Sequence, residues 1–365
     1  MPRILIGYLT NQHVSVRYAI PLTFIFHQKR ILRISSSPTD DPINCSMAQL
    51  TRRFFFSTVR HLNRASASAS ASEACSEIFA RFGSKPISIR TQLLDANQLH
   101  LLNVTLGRSP TSTQTPAYGT PIPPGYHLVY FTPSILEDEL GLDGTDRTVN
   151  PLSPFTRRMW AGGELQWTQD EASLLRVGQE VQETTKMLSA EPKKLRSGEE
   201  MLVVSIEKTF ENNKGVALID QRNWVFQKEI KDPKPPPSQP EARPLPKGDI
   251  VRDFTQSYTD LFRFSALTFN AHKIHYLPEW CRDVEGHRDA VVHGPLNLIN
   301  MLDLWRDTTR GGKLDAVPAS ISYRAMSPLY VREQYRILLK QNGQDWDTDI
   351  WDSFGKQSMR GHIVQ

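Results

Sequence analysis

Cysteine and uninterrupted apolar sequence are both scarce in this chain. Its 365 residues carry three cysteines, Cys45, Cys75 and Cys281. They are too scattered for a disulfide framework or a zinc-ribbon spacing, and they fit a reducing compartment. No apolar run reaches the roughly 18 to 20 residues that span a bilayer, so no membrane span is expected. There is no Arg-rich recognition helix, zinc-finger spacing or RNP-like aromatic motif. The net charge of +4 is small for the length, and no nucleic-acid partner is expected.

Acids are missing locally as well. Residues 1 to 72 hold nine Lys or Arg but only Asp40 and Asp41, and they close on a Ser/Ala repeat from Ala65 to Ser72. Acid-poor, Arg-bearing, Ser-rich composition reads as a mitochondrial presequence. The better presequence begins at Met47. On a helix Arg53, Arg60 and Arg64 fall near one another, with Leu50, Phe54 and Val59 nearer the other side. A disordered tail is the alternative. Residues 1–72 are therefore assigned as a targeting or disordered segment.

The folded sequence divides at a linker. Asp232 to Pro246 contains seven prolines, which no central strand or helix tolerates. This gives an N-terminal unit over 73–231, a linker over 232–249 and a C-terminal catalytic unit over 250–365. In the first unit, Glu73 to Leu106 has a helical pattern, with Asp95 as a cap and Gly107 past the end. A loop follows from Ser109 to Gly125, and His127 to Phe131 reads as a short strand. Pro151 to Trp167 reads as a strand with a glycine bulge. Val177 to Met187 supplies another strand. Met201 to Phe210 and Val216 to Lys228 form a hairpin across Glu211 to Gly215.

The second unit carries the most informative residues. An apolar stretch, read as the end of a strand, leads into Phe264-Ser265-Ala266-Leu267-Thr268-Phe269-Asn270-Ala271-His272-Lys273-Ile274-His275. Pro278 to Arg288 reads as loop. Val291-Val292-His293-Gly294-Pro295 then opens a helix that is apolar on nearly every face, so the helix should be buried. Proline is well placed at a first helical position. Strands are expected at Ala319 to Met326, Gln334 to Lys340, Trp346 to Asp352 and Lys356 to Val364. A buried helix followed by antiparallel strands that wrap it is the hot-dog pattern. With one such unit in each half, the expected class is α+β, a double hot-dog.

The chemistry follows from residue type. Loss of water from a 3-hydroxyacyl thioester needs a base for the C2 proton, an acid for the departing hydroxyl and a donor for the thioester oxygen. A histidine serves both proton transfers, because its ordinary pKa is near neutrality. A backbone amide at a helix N-terminus serves the oxygen, and glycine there lets substrate approach. His275 and Gly294 are the candidate catalytic pair, with Asn270 orienting a water or hydroxyl. His272 and His293 are candidate substrate contacts. Arg157 and Arg158 are read as solvated surface or as contacts for an anionic substrate tail. The His272/His275 spacing lacks an accompanying Asp, Glu or Cys ligand set, so no metal is expected, and no cofactor either.

The run Ser265-x-Leu267-Thr268-x-Asn270-x-His272-x-Ile274-His275, with Val292-His293-Gly294-Pro295, resembles the R-specific hydratase or MaoC-like motif. More closely than the broader motif, it resembles the fungal mitochondrial hydroxyacyl-thioester dehydratase type 2 branch, with mesaconyl-CoA-hydratase-like proteins nearby. The resemblance covers roughly 85 to 365 and includes Arg157 to Gly163. The broader motif has Asp at Asn270, Asn at His272 and Pro at Lys273, so an acidic partner is missing from its usual place. The resemblance implies dehydration of (3R)-3-hydroxyacyl thioesters on acyl carrier protein, in mitochondrial fatty-acid synthesis in the matrix. It leaves open an enoyl-CoA or mesaconyl-CoA-type hydratase, thioester hydrolysis on the same scaffold, and a non-catalytic acyl-binding protein. Monomeric pseudo-dimer and homodimer are equally open.

Overall fold

The structure, a computed structural model, describes residues 69–108, 115–235 and 238–365. The presequence assigned from Met47 lies outside the described residues. Helix α1 (Ala71–Phe82) starts within the last residues of the Ser/Ala run. Ser70 caps it: its hydroxyl accepts from the Glu73 amide while its own amide donates to the Glu73 carboxylate.

The first half continues with β1 (Ser88–Leu93), α2 (Ala96–Thr105), β2 (Arg157–Trp167), β3 (Glu180–Lys194), β4 (Glu200–Asn212) and β5 (Gly215–Gln227). The second half holds β6 (Ile250–Thr255), α3 (Tyr258–Leu267), α4 (Pro278–Asp283) and α5 (Gly294–Thr309). It ends with β7 (Ser320–Ala325), β8 (Gln334–Asn342), β9 (Asp345–Asp352) and β10 (Gln357–Val364). Asp95 caps α2, accepting from the Gln98 amide at 2.9 Å.

All ten strands form one antiparallel sheet in the order β1-β3-β4-β5-β2-β7-β10-β9-β8-β6. From the central β2–β7 pair outward, each half repeats the same order: second strand, fifth, fourth, third, first. This is a double hot-dog, two five-stranded units joined edge to edge. The join is made by Gly162 to Gln166 of β2 against Ser320 to Arg324 of β7. Chain shifts register between Trp160 and Gly162, the expected bulge.

The halves differ in what they wrap. In the second half α5 fills the concave face, and every residue from Leu296 to Arg306 is buried. The equivalent stretch of the first half makes only a 3₁₀ turn, Tyr126–Val129. This corrects the strand expected at His127 to Phe131. The turn begins at Gly125, held at φ +84°, and closes through the Leu128 amide on the Gly125 carbonyl. Five residues of mixed polarity cannot distinguish the two periods. A Cβ on Gly125 would lie 3.0 Å from Leu302 Cδ1 and 3.3 Å from Ile299 Cγ1, so the turn seats directly on α5.

Three other expectations change. β1 interrupts the helical pattern of 73 to 106, its inward face formed by Ser88, Arg90 and Gln92, polar residues that carry no strand signal. The apolar run before the histidine motif is α3, capped by Ser257. Residues 278–283 form α4, with proline in the first turn. Residues 228–249 join the halves with no helix or strand among the described residues.

Candidate active site

The two motifs meet through a pair of hydrogen bonds. Beyond α3 the chain turns at Phe269, which has φ +46°, and the Asn270 amide donates to the Ser265 carbonyl at 2.9 Å. A 3₁₀ turn, Lys273–His275, follows. The Val291 amide donates to the Ile274 carbonyl at 2.8 Å, and the Val291 carbonyl accepts from His275 Nδ1 at 2.7 Å. A carbonyl can only accept, so His275 carries its proton on Nδ1 and leaves Nε2 as a base. Asn270 Oδ1 accepts from the His272 amide at 3.2 Å, which leaves its NH2 group as the free donor.

Three buried histidine rings stand together. His275 stacks on His293 with centroids 3.6 Å apart, and His272 meets His275 edge-on at 5.4 Å. Burial pushes the pKa of His275 down to about 4, with the charge of His287 adding to the effect. His272 and His293 are also held well below the ordinary value, first by burial and then by the charge of His275. All three are neutral near pH 7, the state a base requires. His293 Nε2 lies 2.9 Å from Ser265 Oγ, and its buried Nδ1 has no partner among the described residues. The rings stack rather than converge, and no group of three or more His, Cys, Asp or Glu among the described residues is arranged to hold a metal ion.

His293 also caps α5, with Gly294 and Pro295 in the first turn. First-turn amides have no intrahelical acceptor. Proline contributes no N–H, so Gly294 and Leu296 supply the donors with the helix dipole behind them. A Cβ on Gly294 would sit 3.4 Å from the Trp160 ring. A side chain there would fill the approach to these amides.

A cavity of about 1130 Å³ opens onto this region. Its wall includes Asn270, Ser265, His293 and Pro295 from the second half, and Arg158, Trp160 and Trp224 from the first. His272, His275 and Gly294 each adjoin a lining residue: His275 stacks on His293, His272 lies between Ala271 and Lys273, and Gly294 between His293 and Pro295.

A family model described as hydroxyacyl-thioester dehydratase type 2 matches residues 125–331. The chain belongs to this family. It is 30% identical over 250 residues to the mesaconyl-C(4)-CoA hydratase of Chloroflexus aurantiacus, covering 68% of this chain and 85% of the relative. It is 26% identical to the mitochondrial hydroxyacyl-thioester dehydratase type 2 of Schizosaccharomyces pombe, covering 62% of this chain and 80% of the relative. Among solved structures, a MaoC-like dehydratase from Phytophthora capsici superposes with a TM-score of 0.56 at 15% identity, covering 78% of this chain and 96% of that one. HtdX of Mycobacterium tuberculosis gives 0.52 at 14% identity, covering 76% and 99%. These two likenesses support the fold alone. By family the chain is a dehydratase/hydratase.

Within this family member, the site residues read from sequence separate. Asn270, His293 and Arg158 reach the cavity. Arg157 turns to Glu285, with Nε 2.9 Å from Oε2. Trp160 and Trp224 form part of the cavity wall. Glu279 and Asp283 lie on α4, where Glu279 faces Arg282. The carboxylate at the cluster is Asp143 of the first half, whose Oδ2 is 3.7 Å from His272 Nε2. Its loop also holds the turn from outside. The Asp143 carbonyl accepts from the Lys273 amide at 2.8 Å, and the Leu142 carbonyl from Lys273 Nζ at 2.6 Å. Nothing in Leu140-Gly141-Leu142-Asp143-Gly144 announces a partner more than a hundred residues away. Arg222 and Lys208, also in the wall, were hidden inside strong strand patterns.

Proposed function

We propose that the chain interconverts (3R)-3-hydroxyacyl and trans-2-enoyl thioesters by loss or gain of water. The observation that carries this reading is the hydrogen bond from His275 Nδ1 to the Val291 carbonyl, which leaves Nε2 as the base and ties His275 to the segment that runs through His293 to Gly294. In dehydration His275 Nε2 takes the C2 proton. The Gly294 amide receives the charge that develops on the thioester oxygen. Asn270 holds the hydroxyl through its NH2 group, and protonated His275 returns the proton to the departing oxygen, releasing water. Hydration runs the same steps backwards. The catalytic groups then belong to the 250–365 unit, while the 73–231 unit lines the acyl cavity across the 232–249 linker.

The carrier we propose is acyl carrier protein, in fatty-acid synthesis in the mitochondrial matrix. Two fungal relatives named as mitochondrial dehydratases support this, as does the acid-poor composition of residues 1–72. The two hot-dog units within one chain favour a monomer. A second reading, hydration of a CoA-bound enoyl group, draws on the similarity to the Chloroflexus hydratase across 85% of its length.

Hydration of crotonyl-CoA by the full chain, followed by loss of enoyl ultraviolet absorbance, tests the reaction. His275→Ala is expected to lower kcat/KM by about a hundredfold or more, and unchanged hydration would overturn the assignment. Turnover of the same acyl group on carrier protein and on CoA separates the two carriers.

A further inference from the structure

A helix seated in the concave face of a sheet ordinarily turns apolar side chains to it. On α5 two asparagines break that rule. Asn297 and Asn300 are each only 5% exposed. Met301 marks the side that faces the sheet, because a Cβ on Gly361 of β10 would lie 3.1 Å from its Cε. Asn297 stands one turn before Met301 on that same side, and Asn300 flanks it. The turn of the first half meets α5 elsewhere, at Ile299 and Leu302.

The protein does not use up the polar atoms of this side. Among the described residues, His293 Nδ1, Asn297 Oδ1 and Asn300 Nδ2 are buried without a hydrogen-bond partner. An orphan of this kind costs stability unless something pairs with it. The three follow one another along the helix from its His293 end, at steps of four and three residues. Side chains at those steps start about 5–6 Å apart. One water spans such a gap with two ordinary hydrogen bonds.

Both ends of the series lead somewhere. At the inner end His293 belongs to the cavity wall, stacks on His275 and pairs with the Ser265 hydroxyl through Nε2. At the outer end Asn300 neighbours the Tyr335 hydroxyl, which accepts from Gln256 Nε2 at 2.9 Å. Gln256 is flanked by the exposed residues Thr255 and Ser257. A polar line therefore runs from the histidine cluster, between α5 and the sheet, to the surface at the start of α3.

We infer that Asn297 and Asn300 hold a file of water molecules through which the water of the reaction leaves and enters while the acyl thioester stays bound. The inference rests on the dehydration and hydration assigned to His275. A thioester in the cavity blocks the route through the mouth with its own acyl group and carrier arm. Water released beside Asn270 and His275 then has the line beyond His293 as its way out. Each water in that line bonds to a side chain of α5 and to the next water, and so finds the two to four partners an interior water needs.

The test uses (3R)-3-hydroxybutyryl-CoA carrying ¹⁸O in its hydroxyl group, turned over by the full chain in unlabelled water. Before product accumulates, loss of label from the remaining substrate is compared with the appearance of crotonyl-CoA. With a separate water route, water exchanges while the enoyl group is still bound, so the substrate loses ¹⁸O faster than crotonyl-CoA is released. Asn297→Leu and Asn300→Leu nearly keep the side-chain volume and put apolar atoms into the line. Label loss should then fall to the rate of crotonyl-CoA release. The urea midpoint should stay at or above the wild-type value, because a buried orphan has been removed. Wild-type label loss that never exceeds release would overturn the inference, and so would an excess that persists in both variants. Should the variants not fold, a crystal structure of the wild type decides: no ordered water between His293 Nδ1, Asn297 and Asn300 would also overturn it. If the wild type neither dehydrates this substrate nor hydrates crotonyl-CoA, the reaction assigned to His275 fails first and the water line falls with it.

Discussion

The carboxylate of Asp143 stands 3.7 Å from Nε2 of His272. Among the described residues it is the one carboxylate within ion-pair distance of the three grouped histidines. It comes from the first half, whereas the histidines come from the second. The first half thus brings a carboxylate to the histidine cluster, at His272 rather than at position 270.

The brace that delivers Asp143 depends on Gly144. This residue has φ +82°, and a Cβ on it would lie 2.0 Å from the Ala271 carbonyl oxygen. Gly144→Val must displace either the loop or the turn. Hydration of crotonyl-CoA is expected to fall by more than about tenfold while the fold survives, because a misplacement of about 1 Å is enough for such a loss. Wild-type kcat/KM in this variant would show that the brace does not position the turn.

Asn270 offers a test of how far the amide has taken over. Asn270→Ala removes the donor facing the cavity and should lower kcat about tenfold to a hundredfold. Asn270→Asp keeps the acceptor for the His272 amide and adds negative charge near His275. Negative charge favours protonated histidine, so the acid limb of the pH–rate profile, expected near pH 4 in the wild type from the lowered pKa of His275, should move upward. A limb that stays in place would separate Asn270 from His275.

Stability should fall on the acid side. The buried His275 has a pKa near 4, against 6.5 for the free group. Between those values the unfolded chain binds more protons, so stability is complete above about pH 6.5 and is lost as pH falls toward 4. His275 alone accounts for about 3 kcal/mol at the limit, and His272 and His293 act in the same direction. Urea unfolding at pH 7 and pH 4.5 measures this, and equal stability at both would contradict the burial of the cluster.

Gly125 ties the short turn of the first half to α5. Gly125→Ala meets a left-handed backbone that disfavours a side chain by about 1–2 kcal/mol, and Leu302 Cδ1 only 3.0 Å away. A loss of about 2–4 kcal/mol is expected in urea unfolding. A neutral substitution would mean that the turn and α5 can separate without penalty.

Much of this architecture was legible from local pattern. The hairpin of β4 and β5, the four closing strands and the buried helix after His293-Gly294-Pro295 all announce themselves through periodicity and turn residues. The closeness of the turn at His275 to the helix start at His293 is legible as well, because both lie within one stretch of chain. What stayed hidden depends on distance or on broken local rules. β1 has an inward face of Ser88, Arg90 and Gln92, so it lacks the alternation that marks a strand. Lys208 and Arg222 sit between apolar neighbours such as Ile206 and Phe210 or Trp224 on the same strand faces, where local reading treats them as interruptions. Asp143 and Trp160 reach the site only because the sheet brings the two halves together, and no spacing along the chain encodes that.

The unequal filling of the two halves has a wider consequence. Where α5 packs the second half, the first half carries only the turn Tyr126–Val129, and strands of that half line the cavity of about 1130 Å³. Two units of the same strand order thus differ in what they enclose, one a helix and the other open space. A long helix seated in the first half would compete for that space.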